Sequence, residues 1–174
     1  MIMKNIVLIG FMGTGKTTVA KLLAQYLKKK YISTDKEIEE LSGKKIQKIF
    51  KEEGEIGFRE KEIKAIKKVA HKKNAIIDCG GGVVLNKINI DRLKLGGVIF
   101  LLKASPETIL KRINKEKGVR PLLAVNNSLA TIKKLLQFRQ PFYNRAADYI
   151  IKTDQKTPEM IARKIIKIYY EHMG

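Results

Sequence analysis

Short unbroken runs of apolar residues alternate along this chain with longer stretches in which apolar residues recur every three or four positions. Ile6-Val7-Leu8-Ile9, Ala75-Ile76-Ile77, Val98-Ile99-Phe100-Leu101-Leu102 and Tyr149-Ile150-Ile151 are runs of the first kind. A strand buried on both faces reads as such a run, whereas one wetted on a face alternates. Five strands are therefore expected, at Asn5 to Ile9, Tyr31 to Ser33, Ala75 to Asp78, Val98 to Leu102 and Tyr149 to Ile151. The intervening segments carry helical spacing, clearest from Val19 to Lys30 and from Leu129 to Phe138, whose apolar stripe suits core packing. Strand-helix alternation throughout predicts an α/β fold: one parallel sheet with helices on both faces, three layers in all. Helix starts are legible at Thr34 with Glu37, a capping box, and at Ser105-Pro106-Glu107 and Thr157-Pro158-Glu159, where proline enters the first turn. Asn114 to Asn127 lacks an apolar period and holds Gly118 and Pro121, so it reads as a loop of the length that serves as a lid.

Length and composition narrow this picture. At 174 residues the chain is expected to form one domain, residues 1–174, with a core sufficient without disulfides. Cys79 is the single cysteine. The first apolar run is too short for a signal peptide, and no run approaches the roughly 20 residues that span a membrane, so a cytoplasmic protein with no membrane partner is expected. The net charge of +19 raises the question of nucleic-acid binding. The 29 lysines, however, are spread over every expected helix and interleaved with glutamate, as in Lys36-Glu37-Ile38-Glu39-Glu40, the pattern of solvated helix faces. The seven arginines stand out against that background, because arginine offers a planar, forked donor that lysine does not.

Candidate chemistry begins where the first strand ends. Gly10-Phe11-Met12-Gly13-Thr14-Gly15-Lys16-Thr17 is a complete phosphate-binding loop, set between a strand and a helix as its mechanism requires. Backbone N–H groups of Gly13, Thr14 and Gly15 and the following helix N-terminus, with Thr18, favour phosphate. Lys16 puts a positive charge on the β- and γ-phosphates, and the Thr17 hydroxyl suits the Mg²⁺ that accompanies ATP. A GTPase is excluded: Asn86-Lys87-Ile88-Asn89 and Asn114-Lys115-Glu116-Lys117 both lack the aspartate that reads guanine. A small-molecule kinase is the class that remains, with a basic nucleic-acid-dependent ATPase as the alternative from outside it.

The rest of the chain resembles the shikimate kinase family, motif by motif and in order. The residues are Ser33-Thr34-Asp35-Lys36-Glu37-Ile38-Glu39, Gly54-Glu55-Ile56-Gly57-Phe58-Arg59-Glu60, Gly80-Gly81-Gly82, Arg120-Pro121-Leu122-Leu123 and Arg139-Gln140-Pro141-Phe142-Tyr143 followed by Ala147-Asp148. The resemblance implies a phosphate-loop kinase fold with a substrate-binding helical region at about 34–62 and a lid at about 114–127. It implies transfer of phosphate from ATP to the 3-hydroxyl of shikimate, a step of aromatic amino-acid biosynthesis, by a cytoplasmic monomer. Gluconate and nucleoside monophosphates are the alternative acceptors within the class. Arg59 and Arg139 would bind the substrate carboxylate bidentately, Gly80, Gly81 and Gly82 would admit it to the backbone, and Asp35 would orient or deprotonate its hydroxyl. Lys16, Mg²⁺ and the lid residue Arg120 would neutralise the transferring phosphate, while Arg112 and the segment from Thr153 to Pro158 would meet the adenine. His71 and His172 are expected at the surface. One departure matters: where the family carries an acid two residues before Asp35, this chain has Ser33. Asp78, at the end of the third strand, either supplies that charge to the magnesium or pairs with a lysine.

Overall fold

The computed structural model describes residues 4–115 and 129–174. Strands β1 (Asn5–Ile9), β2 (Lys30–Ser33), β3 (Ala75–Asp78), β4 (Gly97–Lys103) and β5 (Tyr149–Lys152) form one parallel sheet in the order β2-β3-β1-β4-β5. The unbroken apolar runs are the three central strands: every residue of β1 and β3 is buried, as is all of β4 except Lys103. Edge strand β5 instead buries Ile151 and exposes Ile150. Each expected strand is present, the ends differing by at most a residue.

Among the described residues seven α-helices cover the sheet: α1 (Lys16–Leu27), α2 (Thr34–Ser42), α3 (Ile46–Ala70), α4 (Lys87–Gly96), α5 (Pro106–Lys115), α6 (Leu129–Ala146) and α7 (Pro158–Met173). Alternation along β1 splits the core in two. Ile6 and Leu8 pack with Val19 and Leu23 of α1 and Ile161, Ile165 and Tyr169 of α7; Val7 and Ile9 face Ile66 of α3, Leu93 of α4 and Ile132 of α6. This is the expected three-layer α/β arrangement. A separate apolar cluster, Ile38, Ile49, Phe58 and Ala65, joins α2 to α3. Among the described residues no helix is long and apolar enough to cross a membrane.

Four boundaries differ from expectation. The first helix runs from Lys16 to Leu27, not from Val19 to Lys30: Gly15 in the left-handed region starts it directly from the loop, and left-handed Lys28 stops it. Ser33, not Thr34, caps α2, its hydroxyl accepting from Lys36 N–H, because Thr34 already has helical backbone and sends its hydroxyl elsewhere. Asn114 and Lys115, expected in the lid, end α5 instead; the rest of the expected lid, with Arg120, falls in residues 116–128, which lie outside the described residues. The helix that was expected to stop at Phe138 continues through Pro141 to Ala146, since Tyr143 and Ala146 prolong its buried stripe. The proline starts at α5 and α7 are as expected, with Ser105 and Thr157 hydroxyls accepting from Thr108 and Met160 N–H.

Candidate active site

At the carboxyl end of β1 the chain turns through the phosphate-binding loop. Gly10 sits at φ 146° with its Cβ position 2.4 Å from the Leu102 carbonyl, so a side chain would strike β4. Thr14 braces the loop by donating to the Phe11 carbonyl at 2.7 Å. Lys16 is buried and its ammonium donates to the carbonyls of Gly10 at 2.9 Å and Phe11 at 3.0 Å, which holds its charge over the loop. The α1 N-terminus has neither a side-chain cap nor an acidic residue in its first turn. Its N–H groups and positive end are arranged for an anion. Thr17 and Thr18 follow at the exposed start of the helix.

Beside the loop, the β2–β3 register places Ser33 opposite Asp78. Asp78 is buried, and its Oδ2 accepts from the Thr17 hydroxyl at 2.7 Å and the Tyr31 phenol at 3.1 Å. Its hydrogen-bond partners among the described residues are thus two hydroxyls. Burial first, and then the Asp78 charge, push the Tyr31 phenol up to about 12, so it remains a donor.

Three side chains that are distant in sequence converge on the glycines after β3. A Cβ at Gly80 would lie 2.7 Å from Asp35 Oδ1, one at Gly81 would lie 3.9 Å from an Arg139 guanidinium nitrogen, and one at Gly82 would lie 2.5 Å from two Arg59 nitrogens. Side chains at Gly80 and Gly82 would strike Asp35 and Arg59, whereas a Cβ at Gly81 would meet Arg139 only in ordinary contact. The segment itself is fixed from both sides: Gly80 N–H donates to the Thr34 hydroxyl at 3.0 Å, and the Tyr143 hydroxyl donates to the Gly81 carbonyl at 2.6 Å. Burial pushes that Tyr143 hydroxyl up to about 12.

The two arginines are held differently. Arg59 stacks over the Phe58 ring and is gripped along its helix by Glu62 at 2.9 Å and Glu55 at 3.1 Å, the spacing of one turn. Glu62 is 1% exposed; burial pushes its carboxyl above the ordinary range against the pull of Arg59. Arg139, 8% exposed, lies over the Phe11 ring, and its buried Nε has no hydrogen-bond partner. A buried cationic donor without an acceptor is costly, and an anionic ligand would satisfy it.

Lys16, Thr17, Asp35, Arg59, Asp78, Gly80, Gly81, Gly82 and Arg139 line one cleft of about 540 Å³ at the carboxyl ends of β1, β2 and β3. Ligands of open parallel sheets bind there. Arg112 and Pro158 lie outside it, beyond the phosphate loop. Arg112 donates to the Thr153 hydroxyl at 3.0 Å, the Thr153 carbonyl at 2.9 Å and the Gly13 carbonyl at 3.3 Å, and so ties the loop to the segment before α7. The next residue, Asp154, accepts from Ser105 N–H at 2.9 Å. Burial opposes its ionisation most, but that bond and those from the Thr108 and Ser105 hydroxyls outweigh it and hold the carboxyl at about 2. His71 and His172 are exposed, as expected.

Sequence reasoning missed Thr34, Tyr31, Glu62 and Tyr143. Glu62 had a signal, an acid three residues after Arg59 on one helix. The hydroxyl partners had none, because each acts across two elements.

The family model described as shikimate kinase matches residues 12–169. The shikimate kinase of Caldanaerobacter subterraneus subsp. tengcongensis is 50% identical over 99% of both chains. That of Thermodesulfovibrio yellowstonii is 50% identical over 96% of this chain and 95% of its own. Among solved structures, shikimate kinase from Acinetobacter baumannii in complex with shikimate superposes with a TM-score of 0.91 at 36% identity, covering 98% of this chain and 94% of that one. With a phosphate loop, an acid and two guanidinium groups gathered in one cleft and these likenesses along nearly its whole length, the chain belongs to the shikimate kinase family.

Proposed function

We propose that this protein transfers the γ-phosphoryl group of ATP to the 3-hydroxyl of shikimate, giving 3-phosphoshikimate and ADP, and that it does so as a single-domain cytoplasmic monomer. The observation that carries the reading is the convergence of Asp35, Arg59 and Arg139 on Gly80, Gly81 and Gly82 beside the phosphate loop. Shikimate has one carboxylate and three ring hydroxyls. Arg139, with its unpartnered buried Nε, and Arg59, preset by Glu55 and Glu62, take the carboxylate and thereby fix the ring. Asp35 accepts the hydrogen bond of the 3-hydroxyl. The hydroxyl oxygen bonds to the γ-phosphorus as the bond to the β–γ bridging oxygen breaks, and the hydroxyl proton passes to Asp35.

Lys16, released from the Gly10 and Phe11 carbonyls toward phosphate, neutralises the charge that develops on the γ-phosphoryl oxygens. Arg120 is assigned the same task from its motif alone. Arg112 and Pro158 are assigned to the adenine, next to the Thr153 segment that Arg112 already holds. The oxygen donors of Thr17 and Asp78 suit Mg²⁺, a hard cation bound through one or two protein groups together with substrate phosphates. Among the described residues no group of three His, Cys, Asp or Glu side chains could hold a metal unaided, which agrees with an ion that arrives with ATP. When bound, it would neutralise phosphate charge.

A coupled ADP-release assay with shikimate, gluconate and AMP tests the reading. Turnover is expected with shikimate alone, without stimulation by DNA or RNA, and Asp35→Asn should lower kcat by about 10²–10⁴-fold. No turnover with shikimate would overturn it.

A further inference from the structure

Asp78 is a buried carboxylate whose nearest donors are both neutral. Thr17 and Tyr31 share one of its oxygens, Oδ2, and neither cancels its charge. Tyr31 reaches it because residues two apart on a strand point to the same face and because Ser33, two residues on, stands opposite Asp78 in the register. The ring packs against the core cluster of that face, to which Val19 and Leu23 of α1 belong, and its hydroxyl meets the carboxylate. Packing alone would be served equally well by phenylalanine. The hydroxyl carries the polar contacts of the ring: it donates to Asp78 at 3.1 Å and also hydrogen-bonds the Ser33 side chain.

We propose that Tyr31 is a positioning residue for the metal end of the site: with the Thr17 hydroxyl it pins Asp78 Oδ2, and this fixes the direction in which the carboxylate offers its other oxygen. The proposal rests on the reading above, that Thr17 and Asp78 serve Mg²⁺. A threonine hydroxyl has one proton and two lone pairs, so Thr17 can face a cation with its oxygen while still donating its hydrogen bond to Asp78. The Tyr31 bond keeps the carboxylate from turning meanwhile. Partners of this outer kind orient the groups that meet a metal, and their loss lowers metal affinity by about 10–100-fold. Tyr31 and Asp78 together replace what an acid at position 33 would do alone: the carboxylate stands one strand over, and the phenol aims it.

The test measures Mn²⁺ binding to the complex of the full-length enzyme with ADP, from the loss of the free Mn²⁺ electron paramagnetic resonance signal. Wild type, Tyr31→Phe and Asp78→Asn are compared, and ADP affinity is measured separately in EDTA. Tyr31→Phe should raise the Mn²⁺ dissociation constant about tenfold, near the lower bound for a lost outer-shell partner, and leave ADP affinity in EDTA within about twofold. In turnover it should raise the Mg²⁺ concentration needed for half-maximal rate while kcat at saturating Mg²⁺ returns close to wild type. Wild-type Mn²⁺ affinity in Tyr31→Phe, with affinity lost in Asp78→Asn, overturns the role of Tyr31 and leaves the metal reading standing. Unchanged affinity in Asp78→Asn overturns the metal reading and the proposal with it. Parallel loss of Mn²⁺ and metal-free ADP binding in Tyr31→Phe marks general damage to the loop and also overturns the proposal.

Discussion

Arg139 shows how much a single side chain determines here. It is buried, it is charged, and its Nε lacks an acceptor, so its guanidinium is organised before any ligand arrives. Truncation removes a charge-assisted pair of the kind worth about 2–5 kcal/mol. Arg139→Ala is therefore expected to lower kcat/KM for shikimate by at least about 30-fold, chiefly through KM, with KM for ATP little changed. Arg139→Lys should recover only a small part, because an ammonium cannot make the parallel pair of bonds that a planar fork makes. Steady-state kinetics on the two variants decide the matter; a lysine variant with wild-type KM would show that charge alone suffices. The phosphate loop was legible from its own spacing, and Asp35, Arg59 and Arg139 were legible through the resemblance of their segments to the shikimate kinase family. Tyr31, Thr34 and Tyr143 were not. Their value depends on a register or a helix approach that joins residues about 47, 46 and 62 positions apart, and no local pattern records that.

Among the elements, the strands were readable because a doubly buried strand has an unmistakable apolar run. Helix ends were less so. The start of α1 was hidden because Lys16 and Thr17, polar and at its first turn, read as part of the loop; the continuation of α6 was hidden by the polar stretch Arg139-Gln140 and by Pro141. The segment between β5 and α7 shows what such boundaries are for. Thr153 is fixed by Arg112, and Asp154 by the N-terminus of α5 and its two hydroxyls. Asp154→Asn weakens the acceptor on one side of this latch while Arg112 still holds the other. KM for ATP is expected to rise about two- to tenfold, the range for one or two modest hydrogen bonds, while KM for shikimate stays the same. A shift in the shikimate KM of equal size would mean that the segment supports the whole cleft rather than the nucleotide end.

For the molecule as a whole, the charge of +19 leaves acids few, and several of them are committed to the active-site region. Two have opposite pH signatures. The Asp154 carboxyl is held below its unfolded value near 3.8, at about 2, so its contribution to stability is present above that unfolded value and is lost as pH falls toward 2. The Glu62 carboxyl is held above its unfolded value near 4.5, so its contribution is complete below that value and is lost as pH rises through the folded one. Thermal melting of wild type and Asp154→Asn across pH should show a gap that is steady above about pH 4.5 and closes as pH falls to about 2. A gap that persists at pH 2 would place the effect outside this carboxyl.

The pairing of Ser33 with Asp78 across neighbouring strands also bears on how such sequences change over time. Two positions in register on one face of a sheet can exchange a negative charge without moving the backbone, since either side chain points to the same side and lies near the same loop. A chain with acids at both positions would keep one carboxylate beside the loop if the other were lost.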